Sequence, residues 1–306
     1  MAVMVKTAAL LTMMLMFAPA VYAQEMPADY ASVLKTLNKQ GDYKDNVLKV
    51  NVPRNDLKVV VDGVATPTPF GFGGWVALAK GTGGMDVMMG DLVLTEDEVN
   101  PVMSALLMNG LDVTALHNHF FFDTPRVYYM HVHGHGTAAD LATKVKPALD
   151  LIGAKPPANA SAANGRAISG TLDSAALARI VGYQGEQTGP VYKITIGRPD
   201  IPLKEMGASI NARMGLNTWA AFYGSDSDAV VAGDIAMLDR EVTPVLKSLR
   251  SSGIDVVAIH HHMTGTNPPV IFLHYWGKGP AQKLATAFRM AIEQTGARPK
   301  TTTAQR

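Results

Sequence analysis

The chain lacks cysteine and has almost no excess charge. Its 306 residues include 27 lysines and arginines against 26 aspartates and glutamates. The absence of cysteine excludes disulfides, thiolate zinc sites, iron–sulfur clusters and cysteine nucleophiles. A net charge of +1, with no block rich in lysine and arginine, provides no surface that would neutralise phosphates, so we expect no nucleic-acid partner. Any metal must be held by histidine, carboxylate, methionine or carbonyl groups.

Long hydrophobic runs are also lacking. A short apolar run at residues 8–17 follows Lys6 and precedes a break at Pro19 and the sequence Val21-Tyr22-Ala23. This order is typical of a secretory signal peptide, and we predict one over residues 1–23, cleaved after Ala23. The run is too short to span a bilayer, and there is no cysteine for lipidation. We therefore expect a periplasmic or secreted protein without a stable membrane anchor.

The chain contains an internal duplication. Residues 90–143 align without a gap to residues 233–286, and about 22 of the 54 aligned positions are identical. After one small insertion or deletion, the match continues upstream in four further pairs: Val47/Val191, Lys49/Lys193, Arg54/Arg198 and Trp75/Trp219. Small and turn-forming residues separate the copies, which is typical of a linker. The predicted domains are a first repeat over 24–152, a linker over 153–168, a second repeat over 169–296 and a polar tail over 297–306.

Hydrophobic periodicity predicts the same order of elements in both copies. In the first copy we expect a helix at 29–40, strands at 47–52, 75–79 and 87–94, a helix at 96–108, a hairpin from 112–119 and 126–133, and a helix from 138. In the second we expect the corresponding elements at 174–182, 191–196, 219–223, 229–235, 239–250, 255–262 and 270–276, and a helix from 280. Strands without regular β–α–β alternation favour an α+β fold of two homologous tandem domains, each a mainly antiparallel sheet with flanking helices.

The nine histidines fall into one group in each copy. Three positions recur: His117/His260, His119/His262 and His131/His274. Residues two apart in a strand point to the same face, and the predicted hairpin brings the third histidine alongside. Three converging imidazoles are typical of a divalent transition-metal site, with Zn²⁺ fitting best and Cu²⁺ or Ni²⁺ as alternatives. Packed strand histidines, or histidines that bind substrate or act as acid and base, are the other interpretations.

Glutamates at equivalent positions are candidates for a catalytic role. Glu98 fits a capping box with Thr95, but Leu238 replaces the threonine in the second copy while Glu241 is retained. Capping alone therefore does not explain the acid, and we predict that Glu98 and Glu241 act as a general base or a fourth ligand. The recurring pairs Asp91/Asp234 and Asp112/Asp255 lie at strand edges, where turns also favour aspartate, and are interpreted as structural.

Two motifs of the second copy resemble the LppY/LpqO family of exported bacterial proteins. They are His260-His-His-Met-Thr-Gly-Thr-Asn-Pro268 and Phe272-Leu-His-Tyr-Trp-Gly-Lys-Gly279. The resemblance extends over residues 28–295 and implies export, but no reaction, because that family is largely of unknown function. The family pattern has His-Asn-His and an acidic residue before Pro-Arg. The first copy retains both features, whereas the second departs from both, so the number of working sites stays open.

Three functions are compatible with these patterns. The leading hypothesis is an exported metalloprotein in which a three-histidine metal activates water for hydrolysis and a glutamate accepts its proton. The alternative is a non-catalytic protein that binds a metal or a small ligand in a cleft between the halves. A third interpretation is an interaction platform without metal. The substrate or ligand and the oligomeric state are not readable from the sequence.

Overall fold

A computed structural model describes residues 24–156 and 164–297 of the chain. The predicted signal peptide, residues 157–163 of the predicted linker and residues 298–306 of the polar tail lie outside the described residues. Within the described part of the chain, no helix is both long enough and apolar enough to cross a membrane.

The two halves contain closely similar series of elements, and the short strand Asp123–Thr124 of the first half has no counterpart among the described elements of the second. The first half consists of α1 (Ala28–Leu37), β1 (Gly41–Lys44), β2 (Val47–Pro53), β3 (Val59–Val61), β4 (Val64–Thr66), β5 (Gly73–Lys80), β6 (Asp86–Thr95), α2 (Glu96–Met108), β7 (Asp112–His117), β8 (Asp123–Thr124), β9 (Val127–Gly136) and α3 (Ala138–Leu151). The second half consists of α4 (Ser174–Val181), β10 (Glu186–Thr188), β11 (Val191–Gly197), β12 (Lys204–Glu205), β13 (Ala208–Ser209), β14 (Asn217–Gly224), β15 (Ala229–Leu238), α5 (Asp239–Ser251), β16 (Asp255–His260), β17 (Val270–Gly279) and α6 (Ala281–Ile292).

Each half is built on a six-stranded antiparallel sheet. The strand orders are β1-β2-β5-β6-β9-β7 and β10-β11-β14-β15-β17-β16, so strands at equivalent positions occupy equivalent places. Small sheets, β4-β3-β8 in the first half and β12-β13 in the second, accompany them. The predicted α+β fold of two similar halves is therefore confirmed. The predicted strand and helix positions agree with the structure to within a few residues, because the main strands are short apolar runs and each helix has one apolar stripe.

The two faces of each sheet have different partners. On β6, Leu92 and Leu94 belong to the core that packs against α1–α3, whereas Val93 points the other way, into a cluster shared with the second half. The second half repeats this arrangement on β15, where Ile235 packs toward its helices and Ala236 packs into a cluster shared with the first half. The inner faces of the two sheets therefore form the contact between the halves.

Short arms from each half cover the sheet of the other half. The 3-10 turn Thr68–Phe70 packs on β11 and β14, and the 3-10 turn Ala212–Met214 packs on β2 and β5. The Phe70 ring meets the Trp276 ring edge-on at 5.9 Å and lies fully buried. These reciprocal contacts make the two halves depend on each other for burial of their inner faces. Since the arms lack hydrophobic periodicity, they carry no pattern from which this packing could be predicted.

A buried arginine–glutamate pair links separate elements within each half. The Arg54 guanidinium donates to both carboxylate oxygens of Glu98, which also accepts the Thr95 amide at 2.8 Å and the Gly153 amide at 2.6 Å. The pair thereby joins a strand end, the start of α2 and the segment after α3. Such multiple bonding compensates for the cost of burying two charges.

The second half repeats the pair with Arg198 and Glu241. The carboxylate accepts two hydrogen bonds from Arg198 at 3.0 and 3.1 Å, one from the Leu238 amide at 2.9 Å and one from the Gly296 amide at 3.1 Å. The acid is therefore retained where the capping threonine is lost because its main partners are the arginine and backbone amides. This pairing explains the recurrence of the glutamate without a catalytic role.

We predict that Glu98→Gln and Glu241→Gln each lower the free energy of unfolding by about 3 kcal/mol, because each leaves a buried guanidinium without its full partner. Urea denaturation monitored by circular dichroism measures this loss. The matched control is Glu293→Gln, which breaks an exposed pair with Arg289 and should change stability by about 0.5 kcal/mol or less. Unchanged stability in both buried variants would contradict this assignment.

Candidate metal centre

The six recurring histidines lie together in one cluster between the halves. The sequence suggested a separate cluster in each copy, but rings from different halves approach each other in three pairs. Ring centroids are 3.7 Å apart in the pair His117/His260, 3.6 Å in His119/His274 and 4.0 Å in His131/His262. Because the inner faces of the two sheets meet at equivalent strands, the duplicated positions converge on one centre.

The strand register places the histidines on the inner faces. His131 on β9 lies opposite Asp91 on β6, and His274 on β17 lies opposite Asp234 on β15. A β-bulge interrupts the pairing of β7 near Thr114, and β16 has an equivalent irregularity. The Thr114 hydroxyl donates a hydrogen bond to the backbone carbonyl of His262 at 2.7 Å, across the boundary between the halves. Bulges of this kind redirect the chain near functional sites.

Backbone carbonyls orient several of the imidazoles. The Nδ1 of His274 lies 3.1 Å from the Gly233 carbonyl, and His131 makes the equivalent bond to Gly90. Since a carbonyl only accepts, Nδ1 carries the proton and Nε2 keeps its lone pair. The Nε2 atoms of both residues are buried and have no hydrogen-bond partner among the described residues. A backbone bond on one ring nitrogen and a free lone pair on the other is the usual arrangement of metal-binding histidine.

Two sets of three imidazoles have the spacing of a metal site. In each set the ligand nitrogens all lie within 4.8 Å of one another: His117, His131 and His260 in one, and His117, His119 and His274 in the other. Each set draws on both halves, so neither half can form it alone. His117 belongs to both sets, and its replacement would disrupt them together. His262 belongs to neither, and its Nε2 lies 3.4 Å from an Asp234 oxygen.

Burial keeps these imidazoles neutral. Removal from water lowers the pKa of His117 to about 4. The pKa values of the other five are lowered as well, first by burial and then, for most of them, mainly by neighbouring imidazoles. A neutral imidazole has the lone pair that a transition metal requires, so protons do not compete for the site at neutral pH. Several unpaired buried nitrogens are costly for the fold, and a bound cation would satisfy them.

The other three histidines are not in the cluster. His133 Nε2 lies 2.7 Å from a Glu205 oxygen, which gives a contact between the halves, and His261 is exposed although it separates two cluster members. His135 is partly buried on β9. None of these three has a histidine at the equivalent position of the other copy. The duplication therefore separates the cluster members from the rest.

Glu98 and Glu241 are not brought to the histidines. Neither belongs to the two imidazole sets, and neither lines the cavity described below. Their carboxylate oxygens are engaged by Arg54 and Arg198 and by backbone amides on the helical side of each sheet. The predicted role as general base or fourth ligand is therefore not supported by their position.

A cavity of about 750 Å³ adjoins the cluster and is lined by both halves. His119, His262 and His274 form part of its wall. Lys49 and Lys193 enter it from equivalent strands, and their Nζ atoms lie 4.3 Å and 3.9 Å from the ring centroids of Trp75 and Trp219, respectively. The cavity thus contains a pair of cations, each resting on an indole, beside the imidazoles.

Asp91 and Asp234 also line this cavity. Burial raises the pKa of Asp91 to about 7, with a further contribution from the Asp234 charge, and burial raises the pKa of Asp234 well above its usual range. The interpretation of this pair as structural therefore missed its place beside the site. Four other residues of the wall were also missed: Lys49, Lys193, Trp75 and Trp219. Their recurrence at equivalent positions was the available signal, since neither strand pattern nor composition distinguishes them.

We predict that Lys49 and Lys193 react with formaldehyde and borohydride with a midpoint near pH 8. Burial lowers both pKa values to about 8, with the Lys193 charge contributing at Lys49, so the reactive free amine forms above that pH. Ordinary lysines have a pKa of about 10.4 and are modified at higher pH. Peptide mass mapping across a pH series measures this, with exposed Lys247 as the reference in the same samples. Equal profiles for all three lysines would contradict it.

Comparison with known proteins identifies a family but no function. The family described as Domain of Unknown Function (DUF1259) matches residues 31–151 and again residues 175–294. No curated protein sequence matches the chain. Among solved structures, EtuB from Clostridium kluyveri is 7% identical with a TM-score of 0.20, over 86% of this chain and 97% of that chain. The trimeric bacterial microcompartment shell protein PduB is 11% identical with a TM-score of 0.20, over 82% of this chain and 90% of that chain. Scores this low carry no argument about this protein.

Proposed function

The chain belongs to the family described as Domain of Unknown Function (DUF1259), with one copy in each half, and we propose that it binds a divalent transition metal at a single centre formed by both copies. The observation that carries this proposal is the set of buried imidazole nitrogens without hydrogen-bond partners among the described residues. Zn²⁺ fits best because three imidazoles and one open position suit its tetrahedral preference. Cu²⁺ and Ni²⁺ remain the alternatives, since both also favour imidazole.

We predict that purified protein binds about one Zn²⁺ per chain and that His117→Ala reduces this to background, since His117 belongs to both imidazole sets. Mass spectrometry of metal content, before and after dialysis against each metal, measures the stoichiometry. His261→Ala is the matched control, because it removes an exposed imidazole next to the cluster and should leave the metal bound.

Thermal unfolding of each variant shows whether it is folded. A folded wild-type protein that binds none of the three metals would refute the proposed centre. Retention of metal by a folded His117→Ala variant would also refute it.

Hydrolysis is the more specific function that we propose for this centre. A three-histidine Zn²⁺ leaves a position for water and lowers the pKa of that water to about 7. The adjoining cavity supports this proposal, because a substrate could reach His119 and His274 from it. Among the carboxyls of the cavity wall, Asp91 and Asp234 lie opposite His131 and His274 in the sheets. They replace Glu98 and Glu241 as candidates for accepting a proton. A non-catalytic protein that binds metal or a small ligand is the alternative.

We expect the Zn²⁺-loaded protein to accelerate hydrolysis of p-nitrophenyl acetate and Asp234→Asn to reduce the rate by about 100-fold, the lower end for loss of a general base. Release of p-nitrophenol followed by absorbance measures both rates. Glu241→Gln, assayed while folded, should keep the wild-type rate because its carboxylate lies outside the cavity wall. No acceleration by protein that retains its metal would favour the binding function.

We also propose that the protein is exported and acts in the periplasm or outside the cell. The order of charge, apolar run and small residues in residues 1–23 supports this, as do the two motifs that resemble the LppY/LpqO family. Membership in that narrower family is part of the same proposal. The mass of the mature N-terminus of protein recovered from the periplasm or medium tests it, and cleavage after Ala23 is expected.

A further inference from the structure

We infer that the cavity between the halves is a binding site for a small hydroxylated carboxylate, such as a hydroxy acid or sugar acid. This inference specifies the ligand class of the proposed binding site and does not require a bound metal. It rests on three features of the wall: two lysines without an ion pair among the described residues, carboxyl groups in the same wall, and equivalent residues contributed by both halves.

The two lysines lack a direct carboxylate partner in the described part of the chain, although Asp91 and Asp234 line the same wall. No ion pair or side-chain hydrogen bond of Lys49 or Lys193 occurs among the described residues, although other lysines such as Lys80 and Lys278 are paired. Both lysines are partly buried, and each ammonium instead lies over an indole. Cations held in a cavity without a partner are costly, and this cost occurs twice, at equivalent positions. An anionic group placed between them would compensate both charges.

The carboxyl side of the cavity favours hydroxyl groups on the ligand. Asp91 Oδ1 is buried and has no hydrogen-bond partner among the described residues. A carboxyl oxygen accepts hydrogen bonds whether or not the group is ionised, and a ligand hydroxyl is a neutral group that donates one. Asn51 and Asn217 also line the wall, and an amide side chain has both donors and acceptors. A ligand with both carboxylate and hydroxyl groups can therefore bind the lysines through its carboxylate and the aspartates through its hydroxyls.

The duplication suggests the shape of a suitable probe. Lys49 and Lys193, Trp75 and Trp219, and Asp91 and Asp234 line one cavity in pairs from opposite halves. A dicarboxylic acid whose two ends are equivalent can present the same groups to each half. Tartrate has two carboxylates and two central hydroxyls in a four-carbon chain. At about 750 Å³ the cavity has the size of an ordinary small-molecule site and also admits larger sugar acids.

Isothermal titration calorimetry of metal-free protein with three four-carbon probes tests this inference. Tartrate has carboxylates and hydroxyls, succinate has carboxylates alone, and threitol has hydroxyls alone. We expect tartrate to bind and each of the other two to bind at least about tenfold more weakly, because each leaves one set of wall groups without a partner. Metal-free protein separates this result from the metal proposal and prevents chelation of a bound ion by tartrate.

Lys49→Met and Lys193→Met should each weaken tartrate binding by at least about tenfold, since each removes a charge-assisted contact. The matched control is Lys247→Met, which changes an exposed residue of α5 and should bind like the wild type. Thermal unfolding without ligand shows that each variant is folded. Undetectable tartrate binding by the wild type, equal binding of succinate, or full binding by the folded Lys49 and Lys193 variants would each overturn the inference. None of these results would affect the metal measurement.

Discussion

The contact between the inner faces of the two sheets is the constraint on which the rest of the structure depends. Each sheet buries one face against its own helices, and only the other half can cover the second face. Strands β9 and β17, which carry His131 and His274, each lie next to the edge strand, β7 or β16, of matching sheets. Their inward side chains therefore meet. Burial of apolar surface around the boundary supplies the stabilisation that offsets a polar centre within it.

This arrangement removes the polar centre from water and surrounds it with apolar side chains. Apolar clusters that contain Phe70 and Trp276 on one side, and Met214 and Phe272 on the other, surround the imidazoles. The histidines are therefore held neutral and close together, at a cost to the stability of the metal-free protein. A ligand that binds only the folded state shifts the folding equilibrium toward that state. Binding at such a centre therefore raises the free energy of unfolding of the protein.

The recurring polar residues serve different parts of the molecule. Arg54 and Glu98, with their counterparts, join elements on the helical side of each sheet, where they hold the repeat together. The histidines, lysines and aspartates lie on the inner faces, where the two copies share one site. Recurrence therefore identifies residues under a common constraint but does not distinguish a structural ion pair from a binding group. Only the face of the sheet on which a residue lies makes that distinction.

The sequence by itself determined the duplication, the order of helices and strands, and the six histidines at equivalent places. These features are local or repeated: periodicity reports which face of a strand or helix is apolar, and self-alignment reports equivalent positions. Tertiary structure alone decided that His117 and His260 meet, that Glu98 pairs with Arg54 and that Lys49 faces a cavity. Those facts depend on contacts between residues distant in the chain, which no local pattern encodes. Because the two inner faces pack together, the two predicted histidine groups form one shared centre.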